Sequence, residues 1–173
     1  MGCDIHMCVE RRSNRYGGGK TEWINGDYFS LVDPLDRDCR PIRQDLYDER
    51  NYSLFAVLAN VRNRGYGEAY PYIDEPRGLP DDVTQYVKDE YETWGIDAHS
   101  CSYFTLREIL EFYYEKSPRN DFGYDILNPL IERLKQRANE FNIIYDFEWG
   151  GRIPTDELYK KAENIRIVFW FDN

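Results

Sequence analysis

Imidazole is scarce in this chain: only His6 and His99 carry it, and both sit among groups that could work with it. Asp4 precedes His6 by two residues, so in an extended segment the two side chains share one face. His99 lies in Trp94-Gly95-Ile96-Asp97-Ala98-His99-Ser100-Cys101-Ser102, a polar stretch with a carboxylate, hydroxyls and a thiol. Imidazoles and carboxylates converging on one point suit general acid–base chemistry or a divalent ion. Asp4, His6 and His99 are therefore the candidates for catalysis. Asp4, His6, Asp97, His99, Cys101 and Asp172 are the candidate ligands for Zn or Mn. Such a set would activate water for metal-assisted hydrolysis of a phosphoester. The spacing is generic, however, and histidines that only hydrogen-bond within the fold are the competing reading.

A second group of residues suits anion binding. Arg50 with Asn51, Arg62 with Asn63, and Arg77 supply guanidinium forks and amides, and Ser100 adds a hydroxyl. Guanidinium matches carboxylate and phosphate geometry, so these six residues define a candidate site for a small phosphorylated or nucleotide-like ligand. The alternative for each arginine is an ion pair with one of the 32 acidic residues. No Walker A loop, dinucleotide glycine fingerprint, nucleophile elbow or HExxH helix occurs. Gly17-Gly18-Gly19 has no helix signal behind it and reads as a turn.

The formal net charge of −10 argues against direct nucleic-acid binding, which depends on Lys and Arg displacing counterions. Such a surface fits ordinary solubility. It would also suit a module that mimics nucleic acid and occupies a nucleic-acid-binding partner without catalysis. Cys3, Cys8, Cys39 and Cys101 form no CxxC pair and follow no signal-peptide pattern, which points to reduced thiols in a cytoplasm. The apolar runs are too short to span a membrane.

The elements that must position these groups follow from periodicity. Residues 4–11 alternate Ile5, Met7 and Val9 with polar neighbours, the pattern of a strand with one buried face. Residues 21–24 can return as a hairpin arm, with Asn25-Gly26 as a further turn. Residues 33–48 read as an exposed loop. Leu54, Phe55, Leu58 and Val61 give helical spacing within 53–63. Asp81 or Asp82 could cap a helix carrying Val83, Tyr86, Val87 and Tyr91. Thr105 and Glu108 form a capping box, and His99 falls in the loop before it. Residues 125–141 form the clearest amphipathic helix, with Pro129 in its first turn. A short helix over 154–162 and a fully covered strand over Ile165–Phe171 complete the chain. The fold class is α+β: one domain, a small mainly antiparallel sheet that includes both terminal strands, and four to five helices. Sharing a sheet would bring Asp4, His6 and Asp172 near one another.

Several segments carry a resemblance. Met1-Gly2-Cys3-Asp4-Ile5-His6 opens the chain and Ile167-Val168-Phe169-Trp170-Phe171-Asp172-Asn173 closes it. Between them stand Arg50-Asn51-Tyr52-Ser53-Leu54-Phe55, Val61-Arg62-Asn63, Pro76-Arg77-Gly78-Leu79-Pro80 and His99-Ser100-Cys101-Ser102-Tyr103. In this order they resemble a widespread family of small tailed-phage and prophage proteins. The resemblance implies a phage accessory protein acting in the cytoplasm of an infected bacterium, with a small anionic ligand or a host protein as its partner, the latter a defence factor blocked through the acidic surface without catalysis; it carries no activity with it. One position departs from the family pattern, which resembles His-Ser-His-Ser-aromatic in the central loop. Cys101 stands at the second histidine. Cysteine can ligate zinc but does not replace imidazole as a proton shuttle near neutral pH, so a two-histidine mechanism in that loop is weakened.

Overall fold

The computed structural model describes residues 2–12, 22–30, 41–64, 67–150 and 153–172. The glycine turn at 16–20, Thr21 and Cys39 lie outside them. Chain order is β1 (Ile5–Arg11), β2 (Ile24–Asn25), β3 (Tyr28–Ser30), β4 (Ile42–Gln44), α1 (Tyr52–Ala59), α2 (Gln85–Trp94), β5 (His99–Thr105), α3 (Leu106–Lys116), α4 (Asn128–Glu140), α5 (Asp156–Ala162) and β6 (Ile165–Phe171). Single 3₁₀ turns cover Gly95–Asp97 and Asp146–Trp149. This is the α+β arrangement that the periodicity predicts.

Both terminal strands sit at the centre of one antiparallel sheet, ordered β2-β1-β6-β5, and β3 pairs with β4 in a separate ribbon. Ile5 opposes Phe171 and His6 opposes Trp170 across the central pair. Every residue of β6 is buried, because helices cover both faces of the sheet. On the larger face, Ile5, Met7, Val9, Phe104, Ile167, Phe169 and Phe171 pack against apolar residues of α1, α3, α4 and α5. The opposite face is smaller: Cys8, Cys101, Val168 and Trp170 meet Val87 of α2, ringed by Leu79, Val83, Tyr86, Tyr91 and Trp94.

That second layer corrects the expectation of a half-buried first strand. Cys8 and Glu10, on the polar face of β1, are fully buried. A buried carboxylate needs a partner. Glu10 accepts from Arg166 Nε at 2.6 Å and from the Thr84 backbone N–H at 2.7 Å. Arg166 also reaches Asp82 at 2.7 Å. Asp82 is thus a clasp between α2 and the sheet rather than a cap. Thr84 caps α2 instead, its side chain accepting from the Val87 N–H.

Two further expectations change. The described part of the loop expected over 33–48 is structured: β4 pairs with β3, and Leu46 and Tyr47 enter the core; residues 33–40 lie outside the described residues. The segment around His99 is a strand, because the exposed edge of β6 takes up His99–Thr105 as a partner. The capping box at Thr105 and Glu108 forms as expected, as does the apolar face of α4 with its early proline. Beside β2, side chains cover the edge of β1. Asp27 Oδ1 accepts from the Val9 N–H at 3.0 Å, and Arg43 Nη1 donates to the Met7 carbonyl at 2.8 Å. Among the described residues, no helix is long and apolar enough to cross a membrane.

Candidate anion-binding site

Strand register decides which of the chemical candidates can meet. Cross-strand partners point to the same side of a sheet, and successive residues alternate. Ile5, Phe171 and His99 form one such row, while His6 pairs with Trp170 in the next. His99 therefore lies with the larger core, its ring 5.9 Å from that of Phe171. His6 lies on the opposite face, stacked 3.8 Å from Trp94 and 6.0 Å from Trp170. The two histidines do not share a site.

A bulge produces this separation. His99 opposes Phe171 and Ser102 opposes Phe169, so three residues of β5 span what two of β6 span. Ser100 carries the irregularity, at φ 50°. An extra residue reverses the alternation on one side of the bulge. With unbroken alternation His99 would follow Cys101 and Tyr103 onto the His6 face. Ser100, read from the sequence as a ligand contact, places its hydroxyl 3.1 Å from His99 Nδ1 and supports the ring.

The opening motif is accounted for by packing. Arg50 grips Asp4 through Nε and Nη2 at 2.7 and 2.6 Å. That bidentate pair favours the ionised acid and holds the Asp4 carboxyl below its ordinary range. The guanidinium lies over Gly2, where an added Cβ would come within 2.7 Å of it, so a larger residue there would have to push the Arg50 side chain aside. Cys3 is fully buried, and burial pushes its thiol up while nearby Arg62 pulls it down. Its sulfur is 4.0 Å from His99 Nε2. The Asp4 backbone N–H donates to Asp172 Oδ1 at 2.9 Å, and Asp172 Oδ2 lies 3.2 Å from His6 Nε2. Asp4, His6 and Asp172 do converge at the sheet end.

The remaining metal candidates do not join them. Asp97 sits in the 3₁₀ turn after α2. Cys101 is buried in the smaller core, where desolvation pushes its thiol up to about 12. Among the described residues no three His, Cys, Asp or Glu side chains are grouped closely enough to hold a metal ion. The six-residue Zn or Mn set expected from the sequence is thus divided by the sheet itself.

Most of the proposed ligand-binding residues have partners within the protein. Asn51 caps α1, accepting from the Leu54 N–H at 3.1 Å. Asn63 bonds both backbone groups of Tyr70 and so fixes the turn after α1. Arg77 binds Asp74 at 3.0 Å and Glu108 at 2.7 Å, with its guanidinium 4.6 Å from the Phe104 ring centre. Gly78 follows at φ 79°, a conformation that glycine adopts without cost.

Arg62, together with Tyr52 and Arg64, lines a cavity of about 600 Å³. Asn60 ends α1 in a left-handed conformation, and Arg62 follows in another, at φ 51°. Two non-glycine residues in that region make a tight, strained turn, and it brings Arg62 and Arg64 to one opening. Arg62 Nη2 donates to the Gly2 carbonyl at 3.3 Å, and its guanidinium is 5.2 Å from the Tyr52 ring. Arg64 is exposed and has no ion pair or hydrogen bond among the described residues. The Tyr52 ring rests edge-on against Phe55, which packs on Phe171. Two other cavities, of about 490 and 560 Å³, have both charge signs in their walls, with Glu132 and Asp146 in one and Glu22 and Asp82 in the other. No carboxylate appears among the described residues lining the Arg62 cavity.

Sequence reasoning named Arg62 but not Tyr52 or Arg64. The available signal was Val61-Arg62-Asn63-Arg64, two arginines at i and i+2 just past a helix end, in a chain ten charges negative. No family model, curated protein or solved structure matches this chain.

Proposed function

We propose that this protein binds a small phosphorylated ligand in the cleft formed by Tyr52, Arg62 and Arg64, and acts by binding rather than by hydrolysis. The observation that carries the reading is Arg64, exposed at the cleft and without an ion pair among the described residues, on a chain with net charge −10. Cations in an acidic protein are usually neutralised locally, so an arginine left without a carboxylate at a cavity marks a place for an external anion. The resemblance of the landmark segments supports a role as a phage accessory protein in the host cytoplasm.

The test is thermal-shift and calorimetric titration with a panel of phosphorylated small molecules. Binding raises the melting temperature by mass action. Arg64→Ala removes a charge-assisted contact and is expected to weaken binding about 10-fold or more, with the unliganded melting temperature nearly unchanged. A panel without response, together with salt-sensitive capture of a host protein, would move the assignment to the acidic surface.

A further inference from the structure

A second surface, independent of the anion site, stands where the 3₁₀ turn Asp146–Trp149 meets α5. We infer that it docks an arginine-bearing segment of a partner protein, with a guanidinium laid on the Tyr145 and Phe147 rings and carboxylates of this chain beside it. The turn is held from below. Trp149 packs on the larger core, and Glu148 accepts from the Tyr145 backbone N–H at 2.9 Å and from Lys161 Nζ of α5 at 2.5 Å. Held this way, the turn leaves Phe147 81% and Tyr145 42% exposed, their rings nearly parallel at 6° with centres 5.8 Å apart. Fixed aromatic side chains left this bare are the usual anchors of protein interfaces, because little freedom is lost when they bind.

Charge selects the partner. Lys161 is taken up by Glu148, and Lys135, which lies over the Trp149 ring, by Glu132 at 2.7 Å. That leaves Lys160 against Asp146, Asp156 and Glu157, none of which has an ion pair among the described residues. Asp146 stands between the two aromatic residues in the turn. Glu157 precedes Lys161 by one helical turn and so shares the α5 face that reaches Glu148. Guanidinium stacks flat on rings while pairing with carboxylates at its edge. A second copy of this chain would instead bring the same carboxylates together, and nucleic acid would bring phosphates to them.

Isothermal titration of the full chain with blocked tetra-arginine and tetralysine peptides tests this. Tetra-arginine is expected to bind about 3-fold or more tightly than tetralysine, because guanidinium adds flat stacking to the same charge. Phe147→Leu keeps the apolar bulk and removes the ring; it should weaken tetra-arginine binding about 3-fold or more, and Phe147→Tyr should restore it. Phe122→Leu, which alters a side chain almost equally exposed (79%) in the turn between α3 and α4, should leave the affinity unchanged. Melting temperatures at the wild-type value in all three variants exclude unfolding as the cause. No measurable binding of tetra-arginine, tetralysine binding as tightly, or equal losses in Phe147→Leu and Phe122→Leu would overturn the proposal. Concentration-dependent dimerisation in sedimentation, abolished by Phe147→Leu, would overturn it in favour of a second copy of the chain.

Discussion

The two faces of the central sheet differ in thickness and in what they do with a histidine. On the larger face four helices cover the strands, and His99 stands at the end of the core row, between Phe171 and the Cys3 thiol. That row continues through Phe55 to Tyr52 and so to the arginine cleft. On the smaller face one helix, α2, is clasped to the sheet by Glu10, Arg166 and Asp82. There His6 is held between Trp94 and Asp172, one-fifth exposed. The comparison shows that two groups of identical chemistry, a few residues apart in register, acquire unrelated surroundings when a single bulge residue resets the alternation.

The largest expected effect comes from truncating the shared row. Phe171→Ala should cost about 3–5 kcal/mol in denaturant unfolding, as for other buried aromatics. Cys101→Ala in the thinner layer should cost about 1–2 kcal/mol. Equal losses would mean that the two layers contribute alike.

Next is Asp27, at the seam where the β3–β4 ribbon meets β1. Burial pushes its carboxyl up to about 6, against the pull of the Val9 N–H, Arg43 and Arg137. Asp45 also bears on it, and Cys8 lies against Arg43. Because the folded value lies above the unfolded one, the native state holds this proton more tightly. The contribution of Asp27 to stability is therefore full below pH 4, declines between about pH 4 and 6, and is absent above. Asp27→Asn should flatten that part of the stability–pH curve. It should also raise stability at pH 7 by about 1–3 kcal/mol, less whatever the Arg43 pairing contributed. A variant with an unchanged pH profile would show that the carboxyl is not the group responsible.

The bulge itself is expected to matter at the next level. Ser100→Val places a β-branched side chain at positive φ and should destabilise by about 1–2 kcal/mol. Ser100→Gly should stay within about 0.5 kcal/mol, since glycine relieves the backbone while losing the hydroxyl beside His99. If valine were tolerated as well as glycine, the bulge would not be a constrained feature.

The smallest effect is a coupling. His6→Ala and His99→Ala should be additive within about 0.5 kcal/mol in a double-mutant cycle, because the residues share no partner and face opposite ways. A larger interaction energy would break the separation of the two faces and return them to one site.

Much of the framework was legible in the sequence. The alternation of Ile5, Met7 and Val9, the continuous apolar run Ile165–Phe171, the capping box at Thr105 and the stripe along α4 each encode an element through local periodicity. Pairing of the terminal strands, which brings Asp4, His6 and Asp172 together, follows from the need to bury two such apolar segments. Local pattern does not record what covers a face. Cys8 and Glu10 read as a polar side until α2 is placed over them. His99-Ser100-Cys101-Ser102 lacks a strand signature until the open edge of β6 offers hydrogen bonds to it. Residue types, spacing and charge were thus enough to identify the candidate groups and most of the elements that carry them. The face on which each histidine stands, and which arginines are held by carboxylates, depend on register and on contacts between residues far apart in the chain, and only the tertiary structure decides those.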